Sequence, residues 1–453
     1  MAARGCYTRR MSGPRVYVET YGCQMNMADS EMVIGMLERA GYARTGDPDV
    51  ADVILINTCS VREHAVDRVR SRAGTLAQYK SGDRKVVLGI TGCMAEHLRA
   101  DLRSRAPYVD LVVGPDSYRR LVDHIESARG GKPVQDTVLD IHETYEGIDP
   151  GMSPSSSVAG MVPIQRGCDK FCAFCIVPFT RGRERATPPD EVIRQVRALA
   201  KHGYREVQLL GQTVNSYVYE ETGFSDLLAR VAEVEGIERI RFMSPYPLGF
   251  SAQVIATMAR LPKVCHHVHL PLQSASESVL SRMRRGYTFA TYQKLMDDLR
   301  RAMPDIAITT DFLVGFCGET DAEYAETLAA LRSIRFDNSY QFAYSERKGT
   351  LASRQMPDDI PAEVKQQRLQ ALIDEQRAIT AQIYADQVGT QVHVLIESVS
   401  KRNPAEFLAR TDTWRPVIVS WAGASVGVLL DVAITRAGPG TMYGSPVAKE
   451  SVA

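Results

Sequence analysis

The stretch QRGCDKFCAFCIVPFTRGR, residues 165–183, places Cys168, Cys172 and Cys175 in the spacing CxxxCxxC. Thiolates are soft ligands that suit iron, and three of them on one short loop can hold three irons of a cubane 4Fe-4S cluster. No fourth cysteine follows at a matching spacing, so one iron would have no protein ligand. Because an open coordination site separates a reactive metal centre from a structural one, the spacing predicts a reactive cluster.

A zinc site is the alternative interpretation of these three cysteines. It would need a distant fourth ligand such as His202 or His266. Structural zinc sites usually show paired CxxC or HxxxH elements, and none follows here. The aromatic residues Phe171 and Phe174 lie between the thiols and would keep water from a cluster or serve as ordinary core aromatics.

A second set of three cysteines lies upstream, in VYVETYGCQMN, DVILINTCSVRE and KVVLGITGCMAE. These are Cys23, Cys59 and Cys93, and each ends an apolar, β-branched run that precedes a helix-like segment. Strand, cysteine and helix recur at intervals of about 35 residues, as in βαβ units of a parallel sheet. Strand C-termini meet at one edge of such a sheet, so the three thiols would converge there. Each cysteine alone reads as a buried apolar residue; three at one structural position favour a second cluster.

Composition places the chain among ordinary multidomain proteins of a reducing compartment. It has 453 residues, 44% of them hydrophobic, and zero formal net charge, which allows two or three domains and excludes a global attraction to nucleic acid. Nine dispersed cysteines argue against a disulfide framework. No apolar run is long enough to span a bilayer, and we expect a cytoplasmic protein without membrane association.

The motifs TYGCQMN, NTCSVRE and TGCMAE, followed by the CxxxCxxC loop, resemble the methylthiotransferase family of the radical S-adenosylmethionine (SAM) superfamily. The resemblance spans about Tyr17 to Val447. It implies a SAM-binding 4Fe-4S cluster on Cys168, Cys172 and Cys175, and an auxiliary 4Fe-4S cluster on Cys23, Cys59 and Cys93 that carries the sulfur. The wording GCQMN is typical of the branch that modifies N6-isopentenyladenosine at tRNA position 37, whereas GCPKN and GCKVN mark branches acting on a ribosomal-protein aspartate and on threonylcarbamoyladenosine.

The resemblance also implies the partners of the reaction. These are the anticodon stem-loop of tRNA and a reductant such as flavodoxin or ferredoxin, with the sulfur donor left open. We expect a monomer.

Six short apolar strands with intervening helices follow the first cysteine domain: MVPIQRG, EVQLLGQ, RIRFMSP, HHVHLPLQ, IAITTDFLVGF and NSYQFAYS. This order predicts a partial (β/α)6 barrel, with its site at the strand C-termini. Polar and glycine residues at these ends are candidate SAM contacts, although any one of them reads equally well as a turn residue. The candidates are Gly211, Gln212, Asn215, Gln273, Ser274, Asp311 and Gly315.

The C-terminal sequence changes to short β-runs, enough for a five-stranded OB-like barrel that resembles the TRAM domain, an RNA-binding module. The fold class is therefore α/β, with a Rossmann-like or flavodoxin-like N-terminal sheet, the central barrel and this small barrel. The predicted boundaries are residues 14–129 for the N-terminal domain, 130–160 for a linker, 161–383 for the radical SAM core and 385–448 for TRAM.

Basic and aromatic residues supply candidate RNA contacts in two places. A solvated arginine face and a core tryptophan are the alternatives. Cys6, Cys265 and Cys317 receive no role. The candidates are Arg181, Arg183 and Arg185 after the cysteine loop, and Lys401, Arg402, Arg410, Trp414 and Arg415 in the small barrel.

Two function classes fit the motifs. The first is a tRNA-modifying transferase that inserts a methylthio group at an unreactive aromatic C–H, using two molecules of SAM. The second is a non-catalytic iron-sulfur protein that binds RNA. The missing fourth ligand favours the enzyme, because a structural cluster would take four protein ligands.

Overall fold

The computed structural model describes residues 13–60, 63–81, 85–149, 158–421, 423 and 425–447. They form two compact units. The first takes in the described residues up to Glu143 with Ile148, Asp149 and Phe179–Gly182, and the second takes in the remainder. Cys6, residues 150–157 of the predicted linker and Ala448 lie outside the described residues. None of the described helices has the length and apolar character needed to cross a lipid bilayer.

The first unit contains the strands β1 (Arg15–Tyr21), β2 (Ala43–Arg44), β3 (Val53–Thr58), β4 (Val87–Gly92), β5 (Leu111–Val113) and β6 (Val134–Asp136). Its helices are α1 (Gln24–Arg39), α2 (Glu63–Leu76), α3 (Cys93–Arg105) and α4 (Leu121–Arg129). All strands are parallel, in the order β2-β1-β3-β4-β5-β6. Every residue of β3 and β4 is buried, as expected for a parallel sheet covered on both faces. The predicted parallel N-terminal sheet is confirmed.

Part of the predicted linker belongs to this sheet. Strand β6 pairs in parallel with β5, from Leu111 beside Val134 to Val113 beside Asp136. Its three residues are too short to show a period in the sequence. The pairing places the Asp136 carboxylate 2.8 Å from Ser117 Oγ and 2.7 Å from His124 Nε2. Strand β6 is therefore an edge strand of this sheet.

The second unit contains the helices α5 (Val177–Arg181), whose last residues belong to the first unit, α6 (Pro189–Lys201), α7 (Phe224–Ala232), α8 (Ala252–Arg260), α9 (Glu277–Arg282), α10 (Phe289–Ala302), α11 (Asp321–Ile334), α12 (Leu351–Gln355) and α13 (Ala362–Ala385). Its central strands are β7 (Ala159–Pro163), β8 (Gln165–Arg166), β9 (Arg185–Ala186), β10 (Glu206–Leu210), β11 (Val218–Tyr219), β12 (Thr222–Gly223), β13 (Arg239–Phe242), β14 (His267–His269), β15 (Ala307–Val314) and β16 (Asn338–Ala343).

Six of these strands form an open parallel barrel wall. Two three-stranded sheets, β7-β10-β13 and β14-β15-β16, are joined where Ile240 bridges Val264 and the Cys265 N–H donates to the Ile240 carbonyl at 3.0 Å. Apolar residues of the strands and of the helices outside them form one core. The predicted partial (β/α)6 barrel is confirmed.

Five further strands close a small barrel in the order β17-β18-β19-β21-β20. They are β17 (Gln391–Val399), β18 (Glu406–Thr411), β19 (Pro416–Ser420), β20 (Leu429–Ala437) and β21 (Met442–Pro446). Val394, Val417 and Val432 lie in its core. The predicted five-stranded C-terminal barrel is confirmed.

The small barrel is docked against the starts of β13 and β14. Arg239 donates to the carbonyls of Arg410 at 2.7 Å and His393 at 2.9 Å, and Arg241 donates to the Thr411 carbonyl at 2.7 Å. Trp414 stacks on His267 with ring centroids 5.6 Å apart. These contacts form one buried polar interface within the second unit.

Candidate functional site

The three N-terminal cysteines lie together at the carboxyl edge of the first sheet. Parallel register aligns Tyr21, Thr58 and Gly92 at the ends of β1, β3 and β4. Cys59 and Cys93 follow directly, and Cys23 follows after one residue. The predicted convergence of these strand ends is therefore present in the fold.

Two glycines allow this convergence. Gly92 has φ +90° and ψ −163°, a conformation that side chains exclude. A Cβ there would lie 2.3 Å from Asn57 Oδ1 and 2.7 Å from the Thr58 carbonyl oxygen. At Gly22, a Cβ would lie 2.9 Å from the Cβ of Cys59. The glycine before each of two cysteines therefore permits the close approach of neighbouring strand ends.

Local electrostatics favour thiolate at one edge of this group. A hydrogen bond from Cys59, together with the Arg181 charge and the main-chain N–H groups of Asn26 and Met25, lowers the pKa of Cys23 to about 6. Cys23 caps α1, and Cys93 opens α3. Helix N-termini carry partial positive charge that stabilises anions. Burial raises the pKa of Cys93, against the opposing effect of Arg181.

Arg181 is part of this site. Its Nε donates to the Cys93 sulfur at 3.0 Å, and its Nη2 pairs with Asp29 Oδ2 at 2.6 Å. Both charged side chains are almost fully buried. The expectation that Arg181 contacts RNA phosphates is wrong, because a side chain inside the protein cannot reach a phosphate. Arg185 is also buried, whereas Arg183 is exposed and pairs with Asp169.

The second set of cysteines lies on a loop between β8 and α5 that main-chain bonds hold at its centre. The Ala173 N–H donates to the Met283 carbonyl at 2.9 Å, and the Ala173 carbonyl accepts from the Ala352 N–H at 2.8 Å. Gly167 and Phe171 have positive φ, +76° and +47°. Cys172 is buried, while Cys168 and Cys175 are partly exposed.

Cys172 raises the pKa of the other two thiols of this loop. Burial, and then the adjacent Cys172 and Cys168, raise the pKa of Cys175 to about 12. Burial and Cys172 also raise the pKa of Cys168, to about 11. Three free thiolates here would repel one another. The donor set therefore suits a cluster whose irons take up the negative charge.

The zinc alternative finds no support in the geometry. Among the described residues, the group of three possible ligands whose atoms lie within 4.8 Å of one another is His266, Asp305 and Asp412. Neither set of cysteines has that tight spacing, which zinc–sulfur bonds of ~2.3 Å would require.

One candidate SAM contact has an acceptor available. Gln212 Oε1 is buried without a hydrogen-bond partner among the described residues. Buried polar atoms are normally satisfied, so a bound ligand would complete it. Gly211 lies at the end of β10, where a Cβ would approach Gln165 Oε1 to 3.1 Å.

The other candidate SAM contacts have partners within the protein. Asn215 binds the main chain of Tyr246 through both amide atoms, and Ser274 Oγ contacts Thr327 Oγ1 at 3.1 Å. Asp311 Oδ1 lies 3.3 Å from His269 Nε2. Gln273, whose φ is +73°, and Gly315 also stay predictions. A Cβ added to Gly315 would lie 2.4 Å from Lys365 Cγ.

Sequence reasoning missed one residue at the second set. Arg285 is 5% exposed, and its Nη1 donates to the Cys172 sulfur at 3.3 Å. The only sequence signal was the run MRRGYT, residues 283–288. Nothing in its pattern distinguishes the buried Arg285 from the adjacent Arg284.

Three predicted RNA contacts of the small barrel face the protein. Trp414 stacks on His267, Arg410 pairs with Glu397 at 2.9 Å, and Arg415 pairs with Asp337 at 2.6 Å. All three residues are only partly buried, and their contacts to RNA stay predictions. Lys401 and Arg402 are exposed and stay candidates.

Two family models match the chain. "Uncharacterized protein family UPF0004" matches residues 15–114, and "Radical SAM superfamily" matches residues 162–331. The first range contains the N-terminal set of three cysteines, and the second contains the CxxxCxxC set.

Curated relatives align along almost the whole chain. A tRNA-2-methylthio-N(6)-dimethylallyladenosine synthase of Pelodictyon phaeoclathratiforme is 42% identical over 95% of this chain and 98% of the relative. The synthase of the same name from Porphyromonas gingivalis is 42% identical, over 96% of this chain and 95% of its own length.

Solved structures share the fold at much lower identity. The radical SAM methyltransferase TsrM from Kitasatospora setae, with cobalamin and a [4Fe-4S] cluster bound, has a TM-score of 0.55 at 12% identity, covering 73% of this chain and 75% of that structure. The cobalamin-dependent SAM radical enzyme OxsB has a TM-score of 0.52 at 12% identity, covering 82% and 56%. At these identities the likeness concerns the fold alone.

Proposed function

Because this chain belongs to the tRNA-2-methylthio-N(6)-dimethylallyladenosine synthase family, we propose that it adds a methylthio group to C2 of N6-isopentenyladenosine at tRNA position 37. The observation that carries the proposal is the presence of both cysteine sets, each gathered at one place of the fold, in a chain 42% identical to these synthases over 95% of its length. The enzyme is a radical SAM transferase, and its product is the 2-methylthio derivative.

The chemistry of the target atom explains the need for cofactors. The C2–H bond of adenine is far too weakly acidic for a side-chain base at neutral pH, so the protein needs a radical route. When bound, SAM and the two 4Fe-4S clusters supply the radical, the methyl group and the sulfur. Cys168, Cys172 and Cys175 would hold one cluster.

The chain's own residues position these groups. Cys23, Cys59 and Cys93 would hold the second cluster, which the glycines before Cys23 and Cys93 and the N-termini of α1 and α3 favour. By binding SAM, the buried Oε1 of Gln212 would gain a hydrogen-bond partner. Main-chain bonds of Ala173 keep the radical SAM loop in place, so that substrate binding does not have to order it.

tRNA is the substrate, and we propose that it is recognised by an unstacked loop base at the strand C-termini together with charge contacts to the anticodon stem. Lys401 and Arg402 are the fully exposed candidates for these contacts in the small barrel. A reductant such as flavodoxin or ferredoxin would supply electrons. The sulfur donor stays open, and a cytoplasmic monomer stays our expectation.

Nucleoside mass spectrometry of tRNA from a strain lacking this protein tests the substrate. Loss of 2-methylthio-isopentenyladenosine with accumulation of its unthiolated precursor is expected. Normal levels of that nucleoside together with loss of 2-methylthio-threonylcarbamoyladenosine would assign the chain to the sister activity.

The non-catalytic alternative is tested in vitro. Anaerobically reconstituted protein, given SAM and dithionite, should release 5′-deoxyadenosine. Its absence, with both clusters loaded, would leave an RNA-binding iron-sulfur protein.

A further inference from the structure

The guanidinium of Arg285 is buried next to Cys172 of the radical SAM loop. Nη1 donates to the Cys172 sulfur at 3.3 Å, Nη2 to the Pro271 carbonyl at 2.9 Å and Nε to Tyr287 Oη at 3.0 Å. The guanidinium carbon also lies 4.6 Å from the centre of the Tyr246 ring. All of these partners except the thiol are neutral groups.

The charge of Arg285 has no carboxylate to balance it among the described residues. Three other buried arginines do have one: Arg181 pairs with Asp29 at 2.6 Å, Arg241 with Glu206 at 2.9 Å, and Arg368 with Glu319 at 2.8 Å. A buried charge without a counter-charge is strongly unfavourable. The group next to Arg285 that can become anionic is the set of cysteine ligands.

The neighbouring turn has a second hydrogen-bond donor besides Arg285. Tyr287 Oη donates to the Pro271 carbonyl at 3.0 Å and lies 3.0 Å from the Leu272 carbonyl. If Arg285 were replaced by an apolar residue, the Pro271 carbonyl would keep a donor.

We propose that Arg285 is a positioning residue that sets the reduction potential of the cluster held by Cys168, Cys172 and Cys175. Hydrogen bonds to ligand sulfurs and net charge are the levers by which a protein tunes such a potential. A donor and an unbalanced positive charge both favour the reduced cluster, which carries one more electron. The Arg181–Asp29 pair beside Cys93 carries no net charge, so the arrangement assigns the easier reduction to the radical SAM site. The proposal rests on the proposed function, which supplies the cluster.

A redox titration followed by electron paramagnetic resonance tests the proposal. Cys23, Cys59 and Cys93 are all replaced by alanine, so that one cluster remains in the full chain. Arg285→Met, which removes both charge and donor, should shift the midpoint potential to lower values. Arg285→Lys, which keeps the charge, should shift it less. Arg282→Met is the matched control, because Arg282 lies three residues earlier and pairs with Glu323 at 3.0 Å; its potential should equal that of the parent.

Two outcomes overturn different claims. Arg285→Met with a full complement of iron and an unchanged potential would overturn the role of Arg285. A parent protein that binds four irons but neither reduces them nor cleaves SAM would overturn the proposed function instead.

Thermal unfolding keeps the proposal testable if Arg285→Met loads poorly. Without iron, the variant should unfold at a temperature no lower than that of the parent, because it loses an unbalanced buried charge. After loading, the parent should gain more stability than the variant. An equal loss in both forms would show a merely structural residue and overturn the proposal.

Discussion

At the scale of single residues, the proposed auxiliary-cluster site depends on glycine as much as on cysteine. Gly92 combines φ +90° with a neighbouring strand end so close that a Cβ would lie 2.3 Å from Asn57 Oδ1. Gly131 has a similar φ, +81°, but open space around it. A comparison of alanine substitutions at Gly92 and Gly131 therefore distinguishes the cost of backbone strain from the cost of steric crowding.

We expect Gly92→Ala to lower the free energy of unfolding of the iron-free protein by about 2–5 kcal/mol, the sum of strain and overpacking. Gly131→Ala, which adds strain alone, should cost about 1–2 kcal/mol. Urea denaturation of both variants measures the difference. Equal losses would mean that the strand ends can move apart to make room.

The two sets of cysteines should differ in their effect on SAM. Replacing Cys168, Cys172 and Cys175 by alanine should abolish reductive SAM cleavage, because the ligands of the SAM-binding cluster are lost. Replacing Cys23, Cys59 and Cys93 should keep 5′-deoxyadenosine formation and remove sulfur insertion.

Iron analysis provides the check, since each triple variant should keep about four irons, one cubane. A full complement of iron after loss of the N-terminal cysteines would contradict the auxiliary site. With substrate tRNA, the native enzyme should form both S-adenosylhomocysteine and 5′-deoxyadenosine.

The sequence predicted the convergence of the N-terminal strand ends better than it predicted the surroundings of the cysteines. A thiol at the end of a β-branched run can be recognised because strand ends of a parallel sheet meet. Whether an arginine faces solvent or a sulfur depends on distant partners: Asp29 for Arg181, and Cys172 for Arg285. For Trp414 the sequence left base stacking and a core position open, and the fold places its ring on His267.

At the scale of elements, helix α11 begins with a reciprocal pair of hydrogen bonds. Thr320 accepts from the Glu323 N–H at 3.2 Å, and the Glu323 carboxylate accepts from the Thr320 N–H at 2.7 Å, which is a capping box. Arg282 adds an ion pair to the same carboxylate at 3.0 Å. By contrast, β6 could not be predicted, since three residues show no period.

The same carboxylate predicts a pH dependence of stability. Against the opposing effect of burial, hydrogen bonds from Arg282, Ser278 and the Thr320 N–H lower the pKa of Glu323 to about 2. Because the folded pKa lies below the ordinary value, its contribution is complete above about pH 4.5 and is lost as the pH falls towards 2.

Glu323→Gln should therefore be less stable than the native protein at pH 6, and the difference should shrink between about pH 4.5 and 2. Denaturant unfolding across this range measures it. Glu326→Gln, an exposed change on the same helix, should follow the native profile. A pH-independent difference for Glu323→Gln would contradict the role of the charge.

At the scale of the whole molecule, the second unit joins the small barrel to the central barrel by polar contacts. Arg241 links Glu206 on β10 to the Thr411 carbonyl at the end of β18, with distances of 2.9 and 2.7 Å. Arg239 and Trp414 extend the same interface. The small barrel is therefore a fixed part of the second unit.

Arg241→Met should loosen this docking. It removes the donors to the Thr411 and Asp412 carbonyls and leaves Glu206 buried without its counter-charge, a loss of about 3–5 kcal/mol. Glu206→Gln combined with Arg241→Met removes both charges and should recover part of the stability, while the two carbonyls still lack their donors.

Hydrogen exchange separates the two effects, because β18 should lose protection in both variants even where global stability is partly restored. Arg436→Met is the matched control, since Arg436 lies exposed over the Tyr443 ring on the same small barrel. Protection of β18 that stays native in the Arg241→Met variant would show that the other contacts, those of Arg239 and Arg415 and the stacking of Trp414 on His267, are enough to hold the barrel in place.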